Sequence, residues 1–320
     1  MNATLLGTVG VDMTEEAWLA KRREGIGGSD APAIAGAVDW GSQMSVYLEK
    51  LGLVERDLSD NEPVEWGSRL EVPVTEKLEE VIGTEVYGRQ RFYAHPEHPW
   101  MLATVDGVFA DFGWVLKYFP DAEFDEDGNE VLAEIKTTGA WRAKTWAADV
   151  PLHVYIQVQH DLAVTGLPGA VVAVLIGGQK FETHNVVRGD AYIAQLVELE
   201  SDFYHNHLVP QIPPAIDGSK ASEDALKILF PEDDGSELTT DDPEAEDAIR
   251  RYLDYKQAVS EFEAKKRKAA NEIKALLGVA ERATIGGKYR ATWKTTIQRD
   301  AYEVKASSYR KLNVVEMEEE

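Results

Sequence analysis

Helix-like and strand-like segments alternate along the first two thirds of this 320-residue chain, and their order is the strongest constraint on its fold. Amphipathic patterns predict helices at 14–23, 29–35, 45–52, 66–82, 141–146, 155–165 and 190–207. Runs rich in β-branched and aromatic residues predict strands at 85–93, 101–109, 131–137, 170–176 and 181–187, with the last two forming a hairpin. This order predicts an α/β (α+β) fold in which helices flank a central mixed β-sheet.

The composition changes beyond residue 218. Between residues 223 and 247 there are eleven acidic residues and one lysine, which is typical of a linker or an exposed loop. A long helix at 249–277 and a hairpin at 283–296 around Gly286-Gly287 are predicted to follow. We therefore expect a domain at 1–218, an acidic linker at 219–247, and a C-terminal helix, β-hairpin arm and tail at 248–320. Residues 248–300 contain thirteen Lys and Arg against six Asp and Glu, so this arm is either a solvated surface or a basic arm for DNA binding or assembly.

The chain as a whole is acidic, with 57 Asp and Glu against 33 Lys and Arg and a formal net charge of -24. This charge excludes a broadly basic nucleic-acid-binding coat, although it leaves room for local basic surfaces. The lack of cysteine excludes thiolate zinc sites, cysteine nucleophiles and cysteine-held iron–sulfur clusters. Neither a signal-like start nor an apolar run of about 18 residues occurs, so we expect a cytoplasmic protein with no membrane partner.

Two carboxylates and a lysine fall at informative places in neighbouring predicted strands. Asp106 follows the run Ala-Thr-Val, while Glu134 and Lys136 alternate in the strand at 131–137 and therefore share one face of it. If the two strands pair, Asp106 approaches Glu134, and adjacent carboxylates repel each other unless a cation lies between them. Oxygen ligands suit Mg²⁺ or, as a substitute, Mn²⁺. A nearby lysine can orient a water, accept its proton or stabilise charge on phosphorus, so the set is typical of metal-assisted phosphodiester hydrolysis.

Each of these pieces is common when it stands alone, because Asp-Gly is a frequent turn and E-x-K a frequent solvated strand face. The elements around them make the pattern specific. Five motifs follow one another along the chain: WLAKRREGIGGSD at 18–30, WGSRLE at 66–71, ATVDG at 103–107, EIK at 134–136 and YIQVQ at 155–159. With them the chain resembles the YqaJ-like viral recombinases, the lambda-type phage exonuclease group of the PD-(D/E)XK nuclease superfamily. The Asp106 motif lacks the proline that gives the superfamily its name.

The resemblance implies a PD-(D/E)XK nuclease core and a role for each matching residue. It implies the following metal ligands: Asp106, Glu134, the main-chain carbonyl of Ile135, and Glu71, which approaches from its helix and would bind a second ion. Lys136 would position or activate the attacking water, and Gln157 would orient the lysine or the water, with Gln159 as its rival. Outside this context Glu71 would be an ordinary helix glutamate and Gln157 a helix-surface amide.

The glycine-rich loop at 25–28 leads into Ser29 at the start of a predicted helix. Such a loop exposes backbone N–H groups and a helix dipole to an anion, although Ser29 alone is equally explained as a helix N-cap. The resemblance implies that Arg22 and Ser29 bind the phosphate at a DNA 5′ end, which arginine can grip bidentately. Arg23 is the neighbouring rival.

The function implied by the resemblance is a Mg²⁺-dependent exonuclease that acts 5′→3′ on linear double-stranded DNA ends and leaves single strands for homologous recombination. It further implies a ring-like homo-oligomer such as a trimer, a single-strand annealing protein as partner, and the host cytoplasm as location if the chain is phage-encoded. Two other hypotheses stay open. One is a PD-(D/E)XK endonuclease that cuts internally, and the other is a non-catalytic DNA-binding scaffold on a nuclease fold.

Overall fold

The computed structural model describes residues 3–54, 61–118 and 130–294. They divide into two compact units, the first ending at Leu229 and the second beginning at Phe230. The first unit has mixed β-sheets flanked by helices, which confirms the predicted fold class. Within the three described ranges, no helix combines the length and the apolar character that a membrane crossing requires.

Two four-stranded sheets form the frame of the first unit. The first sheet has the strand order β1 (Thr4–Thr8), β3 (Arg91–Ala94), β4 (Met101–Val105) and β2 (Ile26–Gly27). The second sheet has the order β5 (Gly107–Ala110), β6 (Glu130–Thr138), β7 (Gly169–Ile176) and β8 (Lys180–Val187). In the second sheet the central pair β6 and β7 is parallel, whereas the two outer pairs are antiparallel. The sheet is therefore mixed, and β7 and β8 form the predicted hairpin.

Helices connect and cover these strands. In chain order they are α1 (Glu15–Arg23), α2 (Ala31–Ile34), α3 (Gln43–Lys50), α4 (Glu62–Ile82), α5 (Phe112–Tyr118), α6 (Ala143–Trp146), α7 (Leu152–Thr165), α8 (Asp190–Phe203) and α9 (Lys220–Leu229). A 3₁₀ turn, Ala140–Arg142, precedes α6, and a π turn, Tyr204–Leu208, extends α8. Thr14 caps α1 through its side chain, and Gly83 ends α4 in the left-handed conformation that glycine tolerates best.

The predicted single strand at 101–109 is wrong, because Asp106 interrupts it. The segments before and after Asp106, β4 and β5, belong to different sheets. The Asp-Gly dipeptide explains the break, and a Cβ on Gly107 would lie 2.4 Å from a methyl group of Val86. The predicted strand at 85–93 is also too long. Positive φ angles at Gly88 and Gln90 interrupt the extended backbone, so that the strand begins only at residue 91.

Strand β6 presents its two faces to different helices. Leu132 belongs to the core that includes Val158 and Leu162 of α7, whereas Ala133 belongs to the core that includes Val74 of α4. Because side chains alternate along a strand, residues 134 and 136 lie on the face of Leu132, toward α7. This alternation confirms the predicted strand and brings its two charged residues next to a helix.

The predicted boundary at residue 218 differs from the observed end of the first unit. Residues 220–229, assigned to the acidic linker, form α9, which packs against α3. The hydroxyls of Ser42 and Ser222 lie 3.0 Å apart, and Ala225 is buried in the core. The linker prediction rests on charge alone, whereas Ser222, Ala225 and Leu229 lie on one face of a helix that packs against the core.

The second unit contains the long helix α10 (Pro243–Leu277) and the hairpin strands β9 (Arg282–Ile285) and β10 (Tyr289–Thr292). These elements confirm the predicted helix and hairpin. Asp242 caps α10 by accepting the backbone N–H of Glu244 over 2.9 Å. Among the described residues of this unit, Leu277 alone is buried, and the predicted tail beyond residue 294 lies outside the described ranges.

Candidate active site

Asp106 is the single residue between β4 and β5, and it lies beside β6. Gly107 stands opposite Ala133 in the antiparallel pairing of β5 with β6. The Oδ2 atom of Asp106 accepts the backbone N–H of Ile135 over 2.8 Å. The break in the predicted strand thus brings Asp106 to the level of Glu134, as the paired-strand hypothesis requires.

Glu134, Lys136 and Gln157 form a closed hydrogen-bonded triangle. The Nζ atom of Lys136 lies 2.5 Å from Oε1 of Glu134 and donates to Oε1 of Gln157 over 3.0 Å. The Nε2 atom of Gln157 donates to the same Glu134 oxygen over 2.8 Å. Glu134 is only 2% exposed. Gln157 reaches the two charged residues because α7 covers the face of β6 on which they lie.

The charges in this cluster shift one another's proton affinities. Burial and repulsion by Glu134 raise the pKa of the Asp106 carboxyl well above its usual range. Burial alone would lower the pKa of Lys136, but the Glu134 and Asp106 carboxylates outweigh it and raise that pKa. The lysine is therefore an ammonium ion at neutral pH, and the two neighbouring carboxylates favour a further cation.

The donor set fits a hard divalent cation. Within the part of the chain that the structure describes, no group of three or more His, Asp or Glu side chains lies close enough to hold an ion alone. Asp106, which is half-buried, and Glu134, which is buried, nevertheless supply two neighbouring carboxylates whose repulsion a cation would relieve. Mg²⁺ typically takes one or two protein carboxylates and fills its remaining positions with water and phosphate oxygens.

A cavity of about 270 Å³, called here the catalytic cavity, opens beside Asp106 and Gln157. Glu71 of α4 lines it, and its Oε1 atom accepts a hydrogen bond from Nε2 of Gln90 over 3.0 Å. Gln90 itself has a φ of 59°, which is uncommon for a residue other than glycine. The structure therefore brings Glu71 to the site together with Gln90, which no sequence pattern pointed to.

Arg22 and Ser29 also line the catalytic cavity. The Nη2 atom of Arg22 donates to Oγ of Ser29 over 2.6 Å. Arg22, rather than its rival Arg23, reaches the cavity. Ser29 is not a helix N-cap, because α2 begins at Ala31 with Asp30 before it. Since α2 is a single turn, the glycine-rich loop rather than a helix dipole forms this part of the cavity.

A buried ion pair supports this loop from behind. The Nζ atom of Lys50 lies 2.6 Å from Oδ2 of Asp30 and donates to the carbonyl of Arg22 over 2.9 Å. Asp30 also accepts the backbone N–H of Gly27 over 2.8 Å and lies 3.6 Å from the Arg22 guanidinium. Burial opposes ionisation of Asp30, but the Lys50 and Arg22 charges lower its pKa. The sequence analysis missed both partners, since an acid after serine and a lysine in a short helix are common surface patterns.

Asp161 of α7 is a further acid that the sequence analysis missed. Its side chain lines the catalytic cavity, is only 2% exposed, and makes no hydrogen bond or ion pair with the residues that the structure describes. A Cβ on Gly28 would lie 2.4 Å from Oδ1 of Asp161, so the loop can approach only as glycine. Burial and the Glu134 charge raise the pKa of Asp161. Asp161 is the only acid of α7, and this isolation was the signal that could have identified it.

Gln159 does not line the catalytic cavity, and its side chain bonds to backbone groups instead. It is fully buried, its Nε2 atom donates to the carbonyl of Val187, and its Oε1 atom accepts the N–H of Gly189. These bonds, of 2.8 and 2.9 Å, fix the connection from β8 to α8. Of the two rival glutamines, the structure brings Gln157 to the carboxylates.

Comparison with known proteins found a family model, a relative and solved structures that are similar to this chain. The YqaJ-like viral recombinase domain matches residues 17–168. The uncharacterized protein YqaJ of Bacillus subtilis (strain 168) is 32% identical over 289 residues, which are 89% of this chain and 85% of that protein. A crystal structure of an alkaline exonuclease from Laribacter hongkongensis superposes with a TM-score of 0.49 at 20% identity, covering 62% of this chain and 94% of that one. The extent of the match to the Bacillus protein and the domain match together show that this chain belongs to the YqaJ-like viral recombinase family.

Proposed function

We propose that this protein is a metal-dependent DNA exonuclease that degrades linear duplex from its ends in the 5′→3′ direction. The product would be a single strand available for homologous recombination. The observation that carries the proposal is the convergence of Asp106, Glu134, Lys136 and Gln157 from three elements on one place beside the catalytic cavity, which Asp106 and Gln157 line. Membership of the viral recombinase family agrees with a substrate of DNA.

The carboxylates supply the binding site for the cation. Asp106 and Glu134 would hold Mg²⁺ or Mn²⁺ together with the main-chain carbonyl of Ile135, and Glu71 is the next acid in the cavity. When bound, the ion would polarise the phosphodiester and favour hydroxide over water near neutral pH. Without it, the negative charge of these acids would repel the DNA phosphate.

Lys136 and Gln157 would act on the attacking water and the phosphate. The raised pKa of Lys136 keeps the side chain charged, which suits it to orient water and to stabilise negative charge that develops on phosphorus. Gln157 fixes the ammonium group because it accepts its hydrogen bond over 3.0 Å. Its NH₂ group holds the Glu134 carboxylate at the same time.

Arg22 and Ser29 support end recognition and the 5′→3′ direction. Arg22 provides a positive charge within the catalytic cavity, and Ser29 provides a hydroxyl 2.6 Å from it. The side chains suit a terminal phosphate, which offers more anionic oxygens than an internal phosphodiester. If Arg22 and Ser29 bind the 5′-terminal phosphate, the next phosphodiester of the same strand would lie at Lys136. Cleavage would then start at a 5′ end and proceed in the 5′→3′ direction.

Digestion of a linear duplex labelled at both ends, run beside a closed circle, tests the proposal. With Mg²⁺ we expect the linear duplex to disappear and the closed circle to stay intact. Mononucleotides should be released from the 5′ end of each strand of the linear duplex. Lys136→Ala should be inactive, whereas Lys77→Ala, which removes a surface lysine paired with Glu80, should be active. Linear DNA that stays intact with wild-type protein and either metal would refute a nuclease, and a linearised circle would identify an endonuclease.

The chemistry of the DNA end provides a separate test of the phosphate pocket. We expect faster digestion of a 5′-phosphorylated duplex than of a 5′-hydroxyl duplex, and Arg22→Ala should abolish the difference. Equal rates for the wild type would remove Arg22 and Ser29 from the proposed end recognition. A ring-like trimer and a single-strand annealing partner stay predictions, which sedimentation and co-purification can test.

A further inference from the structure

A second cleft continues from the catalytic cavity, and the residues of its far part have no role in the proposed hydrolysis. It has a volume of about 260 Å³ and shares Ser29 and Gln157 with the catalytic cavity. Lys136 also lines it, and its far part is formed by Trp40, Arg142 and other side chains. A ligand that extends beyond the reacting phosphate would therefore meet this cleft.

The far part of this cleft continues into a surface of aromatic rings around one arginine. We call it the Trp–Arg surface, and it consists of Trp40, Trp141, Arg142 and His153. The guanidinium carbon of Arg142 lies 4.6 Å from the centre of the Trp141 ring and 5.7 Å from that of Trp40. His153 meets Trp40 edge-on, with ring centres 5.2 Å apart. Trp141 is 78% exposed and Trp40 50% exposed, so these rings contribute little to the core.

The charge of Arg142 is not neutralised by any carboxylate among the residues that the structure describes. Asp39 lines the neighbouring groove with both tryptophans, but it makes no ion pair with Arg142. A second stack of the same kind shows the contrast. Arg69 lies 5.9 Å from the centre of the Trp66 ring, and Glu65 pairs with it at 2.8 Å. The positive charge on the Trp–Arg surface thus stays available to an anionic ligand.

Exposed aromatic faces beside an arginine without a carboxylate partner suit a ligand that has both flat rings and phosphates, such as single-stranded DNA. Nucleobases stack on tryptophan and on guanidinium planes, and the linking phosphates contact arginine. A duplex hides the faces of its bases within the stack, whereas a single strand exposes them. The continuity with the catalytic cavity places this chemistry next to the strand that would be cut.

We propose that the Trp–Arg surface binds unpaired nucleotides of a DNA strand whose neighbouring phosphodiester occupies the catalytic cavity. Bases would stack on Trp40 and Trp141, and a phosphate would contact Arg142. Binding of this type tolerates any base sequence, because every base has a π-face. The proposal rests on the proposed nuclease function and adds to it a site for single-stranded DNA.

Binding of fluorescein-labelled dT12 without metal, in EDTA, tests the surface separately from hydrolysis. By fluorescence anisotropy, Trp141→Ala and Arg142→Ala should each weaken binding about tenfold, in the range found for loss of one stacked base. Arg142→Ala should also lower the slope of log affinity against log salt by about 0.7, the contribution of one phosphate contact on a single strand. Arg142→Lys should restore the slope but only part of the affinity, because the ammonium group lacks a planar face.

Arg69→Ala is the matched control, since it removes a ring-stacked arginine that is already paired, and it should bind dT12 as the wild type does. Thermal unfolding of each variant separates a lost contact from a lost fold. Affinity within twofold of wild type in both Trp141→Ala and Arg142→Ala would overturn the proposal, as would an equal loss of affinity for blunt duplex. A protein that binds dT12 through this surface yet leaves linear duplex intact with Mg²⁺ would refute the nuclease and retain the binding site.

Discussion

The side-chain amide of Gln157 donates to the carboxylate of Glu134 over 2.8 Å. The same amide accepts from Lys136 over 3.0 Å, so its NH₂ group faces the acid and its oxygen faces the base. Each end of the amide thus has a partner that only one orientation satisfies. Gln157 therefore bonds both charged groups at once, and under the proposed nuclease function it would be a positioning residue that sets their relative placement.

Gln157→Ala should reduce the rate of end digestion about 10²-fold while leaving the fold intact, because a small misplacement of catalytic groups has costs of this order. Gln159→Ala is its matched control in the same helix. That variant loses two buried hydrogen bonds, so it should lower the free energy of unfolding by about 1–3 kcal/mol. Digestion rates and urea unfolding of both variants check the pair, and a Gln159→Ala protein that is stable but inactive would reverse the assignment.

The ion pair of Asp30 and Lys50 should contribute to stability only as a pair. Lys50→Met leaves a buried carboxylate without its closest cation, 2.6 Å away in the wild type, and should destabilise the protein by about 3–5 kcal/mol. The double variant Asp30→Asn with Lys50→Met removes the uncompensated charge and should recover part of that loss. Urea unfolding of the two single variants and the double variant measures the coupling, and strictly additive effects would contradict it.

Candidate site residues that the sequence analysis named lie together in the structure, but the contacts between them were not predicted. The alternation of Glu134 and Lys136 along a strand was enough to place them on one face, because the side-chain period of a strand is fixed. Arg22 and Ser29 were identified from the motif around the glycine-rich loop. Their direct hydrogen bond, and the choice of Arg22 over Arg23, depend on how α1 packs beside that loop.

Other features followed from tertiary contacts that no local pattern encodes. The strand break at Asp106 was missed because Val105 and Val108 read as one continuous strand, although their strands enter different sheets. Asp161 was missed because acids in helices are mostly exposed, whereas this one lines the catalytic cavity and is only 2% exposed. Strand pairing determined where the strand ends at Asp106, and tertiary burial determined the environment of Asp161. Local propensity determined neither.

Glu200→Gln should destabilise the protein most in mildly acidic solution. His160 and Glu200 form a buried pair with a closest distance of 2.9 Å, and the His160 ring also contacts the Leu102 carbonyl of β4. Burial lowers the pKa of His160, but the Glu200 charge outweighs it and raises that pKa to about 9. Because the folded pKa lies above the unfolded one, this stabilisation is complete below about pH 6.5 and is lost as the pH rises through about 9.

The variant should therefore lose about 3–5 kcal/mol at pH 6, the usual cost of breaking a buried pair, and progressively less toward pH 9. Glu198→Gln, which changes an exposed acid in the same helix, should leave the free energy of unfolding nearly unchanged at each pH. Urea unfolding at several values between about pH 5.5 and about pH 9.5 provides the measurement. A loss that is constant across this range would contradict a pKa of His160 that Glu200 raises to about 9.

Asp161→Asn should stabilise the protein at neutral pH. Burial and the Glu134 charge raise the pKa of Asp161, so the folded state binds its proton more tightly than the unfolded state does. Stability is then greatest below the unfolded pKa of about 3.9 and falls as the pH rises through the higher folded pKa. Removing the charge should raise the free energy of unfolding by about 1–3 kcal/mol at pH 7, and the gain should vanish near pH 4. Urea unfolding at the two pH values checks this prediction, and destabilisation at pH 7 would mean that Asp161 is ionised and stabilised in the folded protein.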